Sequence, residues 1–325
     1  MINRIDAVVL WVDGNDKQWF SDAKKYCKDN RNLKPERFRD WGTLKYWFRS
    51  IEKNASWFSK IHFVTCGHIP EWLNTDDPKI NVVKHSDFIP EKFLPTFNSN
   101  AIELNLHRID DLAERFVLFN DDVFLMKKTK PTDFFIGNKT RDVLIESPII
   151  PTDDIFTQTM YNNIATLNKH YKKKDVMKSI KKYHSLKYGK FMISSRVESH
   201  HDGFVGFYNQ HITTPFLKSY FDFLWKMEPG LCEITSSNKF RSKDDITQYL
   251  VRYLQLVEGR FVPRKVGFGR SYEMRNGVSA EKLKVLNNSV ICLNDGEIKD
   301  EYESTRRLLI DFFEKKFNSK SRFEL

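Results

Sequence analysis

Asp121 and Asp122 stand side by side in "RFVLFNDDVFLM", with large apolar residues before and after them. Two carboxylates held among Phe119, Val123 and Phe124 repel each other unless a cation, a basic side chain or a shared proton compensates. A hard divalent ion such as Mg²⁺ or Mn²⁺ is a natural compensator, because it binds through one or two carboxylates and leaves its other positions to water and phosphate oxygens. A β-turn using Asn and Asp for local hydrogen bonds is the plainer alternative. The doublet alone does not choose, since it also occurs at Asp76-Asp77, Asp110-Asp111, Asp153-Asp154 and Asp244-Asp245. Asp110-Asp111 and Asp244-Asp245 fall in helical patterns, as solvated or helix-start charges, and Asp76-Asp77 lies beside Pro78 in a turn. Only Asp121-Asp122 is bounded by apolar runs on both sides.

Other residue types suited to chemistry are fewer. "WVDGND" offers Asp13, Gly14, Asn15 and Asp16 as either a tight turn or the lip of a nucleotide pocket, with Trp11 available for stacking. Of nine histidines, three fall in "ESHHDGFVGFYNQH": His200, His201 and His211, each a general base near neutral pH or a structural side chain. Arg39, Arg108 and Arg241 have the fork that grips phosphate oxygens in pairs.

These groups need elements to hold them. Ile5 to Val12 reads as a buried strand ending at the polar turn. Leu44, Trp47, Phe48 and Ile51 form a helical stripe with Thr43 as N-cap. "IHFVTC" and "INVVK" read as strands, Ile102, Leu106, Ile109 and Ala113 as another helical stripe, and Arg115 to Phe119 as a further strand. Strands alternating with helices over the first 125 residues predict a layered α/β domain with a largely parallel sheet. Ligands bind such sheets beyond the carboxyl ends of the strands, which singles out "VDGND" and "FNDDVF". Residues 169–190 carry nine lysines and one acid, Asp175, and read as a strongly basic amphipathic helix, either a solvated face or a surface for anionic lipid or polymer. Ser242 with Asp245 predicts a capped helix through Ile246, Leu250, Leu254 and Val257, closed by Gly259. Leu308, Leu309, Phe312 and Phe313 mark a last helix.

Composition bounds the class. With 325 residues, 40% hydrophobic and 30% charged, the chain can bury a core and is not disordered. The four cysteines lack metal-ligand spacing and point to reduced thiols in a cytosolic setting. No stretch approaches the ~20 apolar residues of a spanning helix, and no signal peptide is legible. A net charge of +10 favours an anionic partner, and no nucleic-acid motif with interleaved aromatics accompanies it.

Taken in order, these stretches resemble the Stealth family, which includes bacterial capsular-polysaccharide hexose-1-phosphate transferases and the animal N-acetylglucosamine-1-phosphotransferase that tags lysosomal enzymes. Its four blocks are similar to "IDAVVLWVDGNDKQW" (Ile5 to Trp19), to Arg37 through Leu125, to "HITTPFLKSY" with "NKFRSKDDITQYL", and to Cys292 through Leu325. The resemblance implies a GT-A-like, Rossmann-type layered sheet with a helical insertion and C-terminal helical elements, in one catalytic domain. Within it, 1–126 would bind the nucleotide sugar, 127–198 would be a variable basic insertion, and 199–325 would complete the site. It implies transfer of a hexose or N-acetylhexosamine 1-phosphate from a UDP-sugar to a hydroxyl of a capsular or cell-surface polysaccharide, releasing UMP, with Mg²⁺ or Mn²⁺ as cofactor. By the same resemblance Asp121, Asp122 and Asp295 hold the metal. Arg39, Arg108 or Arg241 clamp phosphates, and Trp11, Asp13, Gly14 and Asn15 cradle the uridine end, with Asn98 and Asn120 also assigned to donor binding. His211 takes the acceptor proton, with Asp13 or a metal-bound water as rivals. Expected partners are donor and glycan acceptor, with peripheral membrane or lipid-linked polymer contact through 169–190 at the inner face of the cell membrane. The competing expectations are a metal-dependent glycosyltransferase releasing UDP and a non-catalytic binder of anionic surfaces.

Overall fold

A computed structural model describes residues 4–34, 37–179, 181–274, 279, 282–283, 285–296 and 301–325. Its strands along the chain are β1 (Ile5–Leu10), β2 (Ile61–Thr65), β3 (Ile80–Lys84), β4 (Arg115–Asn120), β5 (Val123–Leu125), β6 (Phe135–Ile136), β7 (Lys139–Asp142), β8 (Thr214–Leu217), β9 (Phe261–Pro263), β10 (Gly269–Glu273) and β11 (Val290–Asn294). Its helices are α1 (Lys17–Tyr26), α2 (Leu44–Ala55), α3 (His85–Phe88), α4 (Ser99–Asn105), α5 (Ile155–His170), α6 (Lys173–Ser179), α7 (Phe191–Glu198), α8 (Lys218–Met227), α9 (Pro229–Ser237), α10 (Gln248–Val257) and α11 (Tyr302–Lys316).

β1, β2 and β4 are apolar, β-branched and aromatic, and they are buried on both faces as parallel strands must be. The main sheet runs β3-β2-β1-β4-β8, parallel except for β8, which pairs antiparallel with β4. Side chains alternate between two cores. Val8, Val64, Phe116 and Leu118 face α4, α5, α8 and α10, whereas Ala7, Val9, Phe63, Val117 and Phe119 face α2, α11 and a second sheet, β10-β11-β5. A third small sheet, β6-β7-β9, completes the set. The expected layered α/β architecture is the observed one.

Several boundaries differ from the sequence reading, each for a physical reason. Thr43 occupies the N-cap position of α2, but its side chain makes no cap hydrogen bond. The stripe from Ile102 to Ala113 is not one helix: α4 stops at Asn105 and passes through a 3-10 turn, Leu106–Arg108. Ion pairs of Asp111 with Arg4 and Lys60, and the bond from Ala113 N–H to Asp6 Oδ2 (3.0 Å), draw the chain back to the sheet. The basic segment is likewise broken, into the end of α5, α6, two 3-10 turns and the start of α7. Lys173 is fully buried against Glu146 (2.9 Å), and Gly189 takes a φ of 57°, so neither suits a continuous exposed helix. Finally, α10 begins at Gln248 under a Thr247 cap, not at Ser242. Asp245, read as a helix-start charge, is fully buried and accepts hydrogen bonds from the amides of Asn98, Asn100 and Asn238 at 2.8 to 3.0 Å.

Candidate active site

The strand order reverses direction between β1 and β4, which makes their carboxyl ends the switch point of the sheet. The two turns singled out from sequence meet there, because Leu10 pairs in register with Asn120. After Asn120 the chain leaves the main sheet: Asp121 and Asp122 form the turn into β5, which joins β11 in the second sheet. Asp122 is pinned at this junction by its carbonyl, which accepts Leu293 N–H at 2.9 Å. The backbone of the aspartate turn is thus held between two sheets at once, which is more than an isolated turn provides.

Above the junction lies an open cleft enclosing ≈ 1660 Å³ of atom-free space. Trp11, Arg39, Asn120, Asp121, Asp122, His211, Arg241 and Asp295, all expected at the site, line it. Burial pushes the Asp121 carboxyl well above its usual range, and the charges of Asp122 and Asp40 push it further. Asp122 is raised by burial too, against the opposing charge of His211. Burial and Asp13 also raise Asp40. Among the described residues Asp122 Oδ1 is buried without a hydrogen-bond partner, while Oδ2 accepts from Cys292 Sγ at 3.3 Å. Burial raises that thiol well above its ordinary value, so it serves as donor. Crowded hard oxygens with one lone-pair set unmet fit Mg²⁺ or Mn²⁺ held by Asp121 and Asp122.

The third expected metal ligand sits differently. Asp295 forms an ion pair with Arg39 (3.2 Å), whose guanidinium also stacks over Trp41 and Tyr302. Among the described residues, the one trio of His, Cys, Asp or Glu ligand atoms all within 4.8 Å of one another is Asp122, His211 and Cys292. His211 reaches it from a left-handed backbone, φ 46°, a conformation that non-glycine residues adopt only under constraint.

Five other expected residues do not line the cleft. Arg108 stacks over Trp225 (4.7 Å) and bonds Asn105. Asn98 is buried, caps α4 through Asn100 N–H and spends its amide on Asp245, Asn238 and Thr235. Gly14 and Asn15 line an adjoining groove under Phe38 and Arg39. At Gly14 only glycine fits, since an added Cβ would lie 1.8 Å from the Phe38 carbonyl oxygen. Asp13 closes the turn by accepting Asn15 N–H at 2.9 Å.

Three of the cleft's acid–base residues, Asp40, His85 and Glu103, escaped the sequence reading. Asp40 was hidden in a polar connection. His85, at the start of α3, is driven by burial down to about 4 and so stays neutral. Glu103, on α4, is driven by burial up to about 7, with Arg241 opposing. A lone acid among the apolar and amide residues of "SNAIELN" was the available signal. Arg241 is held beside it by two hydrogen bonds to Ser99 Oγ, at 3.0 and 2.7 Å. A second chamber of ≈ 1010 Å³ opens beyond Glu103, Asn120, His211 and Arg241, walled by the first turns of α5 and α10. A site with paired carboxylates, two arginines and a carboxyl that titrates near neutrality, set between two chambers, can bind an anionic donor and deprotonate a hydroxyl.

The family description "Stealth protein CR2, conserved region 2" matches residues 37–143. A capsular polysaccharide phosphotransferase, WcwK of Streptococcus pneumoniae, is 41% identical over 99% of this chain and 98% of its own length. The exopolysaccharide phosphotransferase cps2G of Lactiplantibacillus plantarum is 35% identical over 98% and 96%. Among solved structures, galactosyltransferase LgtC with donor and acceptor sugar analogues aligns at TM-score 0.43 and 12% identity, covering 97% of this chain and 96% of that one. Identity over essentially the full length, with the conserved-region match across β4 and the aspartate turn, places this chain in the Stealth family, among bacterial polysaccharide phosphotransferases.

Proposed function

We propose that this chain transfers a hexose 1-phosphate from a UDP-sugar to a hydroxyl of a capsular or cell-surface polysaccharide, forming a phosphodiester and releasing UMP. The relatives' names support the reaction class. The observation that carries the site assignment is the pair of half-buried carboxylates, Asp121 and Asp122, both raised above their ordinary range, in one cleft with Arg39 and Arg241 at the sheet switch point. A divalent ion held there supplies neutralisation of the charge that builds on the diphosphate during transfer.

The chain's own groups do the rest. Arg241, fixed on Ser99, and Arg39 present donors to phosphate oxygens. Trp11, whose buried indole N–H has no partner among the described residues, forms the wall of the cleft at the nucleotide end. The acceptor enters by the second chamber, where Glu103 or His211 takes the proton from its hydroxyl as oxygen attacks the β-phosphorus. The leaving UMP takes the electron pair of the broken phosphoanhydride bond. Purified protein screened against UDP-sugars, with Mg²⁺ and with chelator, should release UMP only when metal is present, and Asp122→Asn should cut that release about 10²–10³-fold. Release of UDP instead of UMP overturns the reading.

A further inference from the structure

The apolar side chains reaching furthest into solvent on the insertion between β7 and β8 include a clustered set. Leu186 is 85% exposed, Ile193 64% and Val197 60%, and all three lie on the 3-10 turn Leu186–Tyr188 or on α7. Ile193 and Val197 stand four residues apart and share a helix face, and Lys190 continues the stripe one turn earlier. This is not a frayed segment. Its inner side is anchored by Tyr188, buried and hydrogen-bonded to Leu144 N–H and the Lys182 carbonyl. Ser195 Oγ accepts Glu146 N–H at 2.9 Å, and Phe191 stacks on Tyr208. The apolar stripe is therefore held outward by a fixed inner face.

Its surroundings are cationic. Lys172, Lys174, Lys178, Lys187, Lys190 and Arg196 are exposed, against two acids between 171 and 198, Asp175 and the Glu198 that ends α7, and Lys174 pairs with Asp202 at 3.0 Å. Exposed aliphatic side chains interspersed along the chain with long basic ones match a surface that is apolar below and negative above. Lysine and arginine stems lie along the apolar layer while their heads meet phosphates. We infer that the Leu186–Tyr188 turn and α7 dock this chain on an anionic lipid bilayer. The inference stands independently of the donor reaction proposed above.

The test is flotation of the full chain with vesicles of phosphatidylcholine containing one third phosphatidylglycerol, against pure phosphatidylcholine, at low and high salt. The chain is expected to float with the anionic vesicles and to be released by salt. Ile193→Asp with Val197→Asp, and separately Lys187→Glu with Lys190→Glu, should each weaken binding by about tenfold or more. Both pairs are exposed, and unchanged circular dichroism and thermal melting should show that the fold survives. Equal binding to neutral vesicles, failure to bind anionic ones, or variants that bind as well as the parent would each overturn the inference. So would a self-association in solution that the same variants abolish, since the face would then be an interface between copies of the chain.

Discussion

At the scale of single residues, Glu103 makes the sharpest claim. Its folded value near 7, above the ordinary 4.5, comes from burial in the wall between the two chambers. A group raised in this way contributes stability that is full below its unfolded value and is lost as pH rises through about 7. Glu103→Gln stays neutral throughout, so near pH 8 it should be more stable than the parent by on the order of 3 kcal/mol, and near pH 4 about equal. Denaturant melts at the two pH values check this. If Glu103 is the base, the same substitution should lower transfer by about 10²–10⁴-fold and remove the fall in rate below neutral pH. Unchanged transfer would leave His211 in that role. The sequence could mark Asp121 and Asp122 because their apolar flanks are local information. It could not mark Asp40 or Glu103, whose meaning arises only when α4 and the loop before α2 are folded over β4.

Elements carry these residues, and one buried carboxylate ties them together. Asp245 joins the loop that bears Arg241 to Asn98 and Asn100 at the start of α4, the helix of Glu103. Asp245→Ala leaves three asparagine amides without their acceptor and should cost about 3–5 kcal/mol in urea unfolding. It should also raise donor KM, because Ser99 and Arg241 lose their common frame. A loss under ~1 kcal/mol would show the hub to be incidental. Sequence pattern saw here only an acidic helix start, since a Ser-x-x-Asp spacing looks the same whether its carboxylate caps a helix or is buried by partners 145 and 147 residues away. The strands were legible because period and burial are properties of short windows. The lysine-rich segment was misread because a buried partner for Lys173 and a left-handed Gly189 are not.

At the largest scale, residues 317–324 pack back onto α2. Arg49 on α2 meets Glu324 through two bonds of 2.8 Å, and its remaining nitrogen donates to the Phe317 carbonyl at 2.8 Å. Phe323 is buried beside them in the core that backs β4 and the aspartate turn. Glu324→Ala leaves a buried guanidinium partly unpaired and should destabilise the fold by about 3 kcal/mol, with little effect on donor KM, by thermal melts and initial rates. The layered sheet and its switch point were foreseeable from alternating strands and helices, while the return of the C-terminus onto α2 was not, because it joins residues 275 apart. No described helix is long and apolar enough to cross a membrane. The central claim is the bond that is made. ³¹P NMR of the glycan product formed from a UDP-sugar should show a phosphodiester resonance that is absent with Asp122→Asn. A product with no phosphorus signal, formed with UDP in solution, would contradict the account.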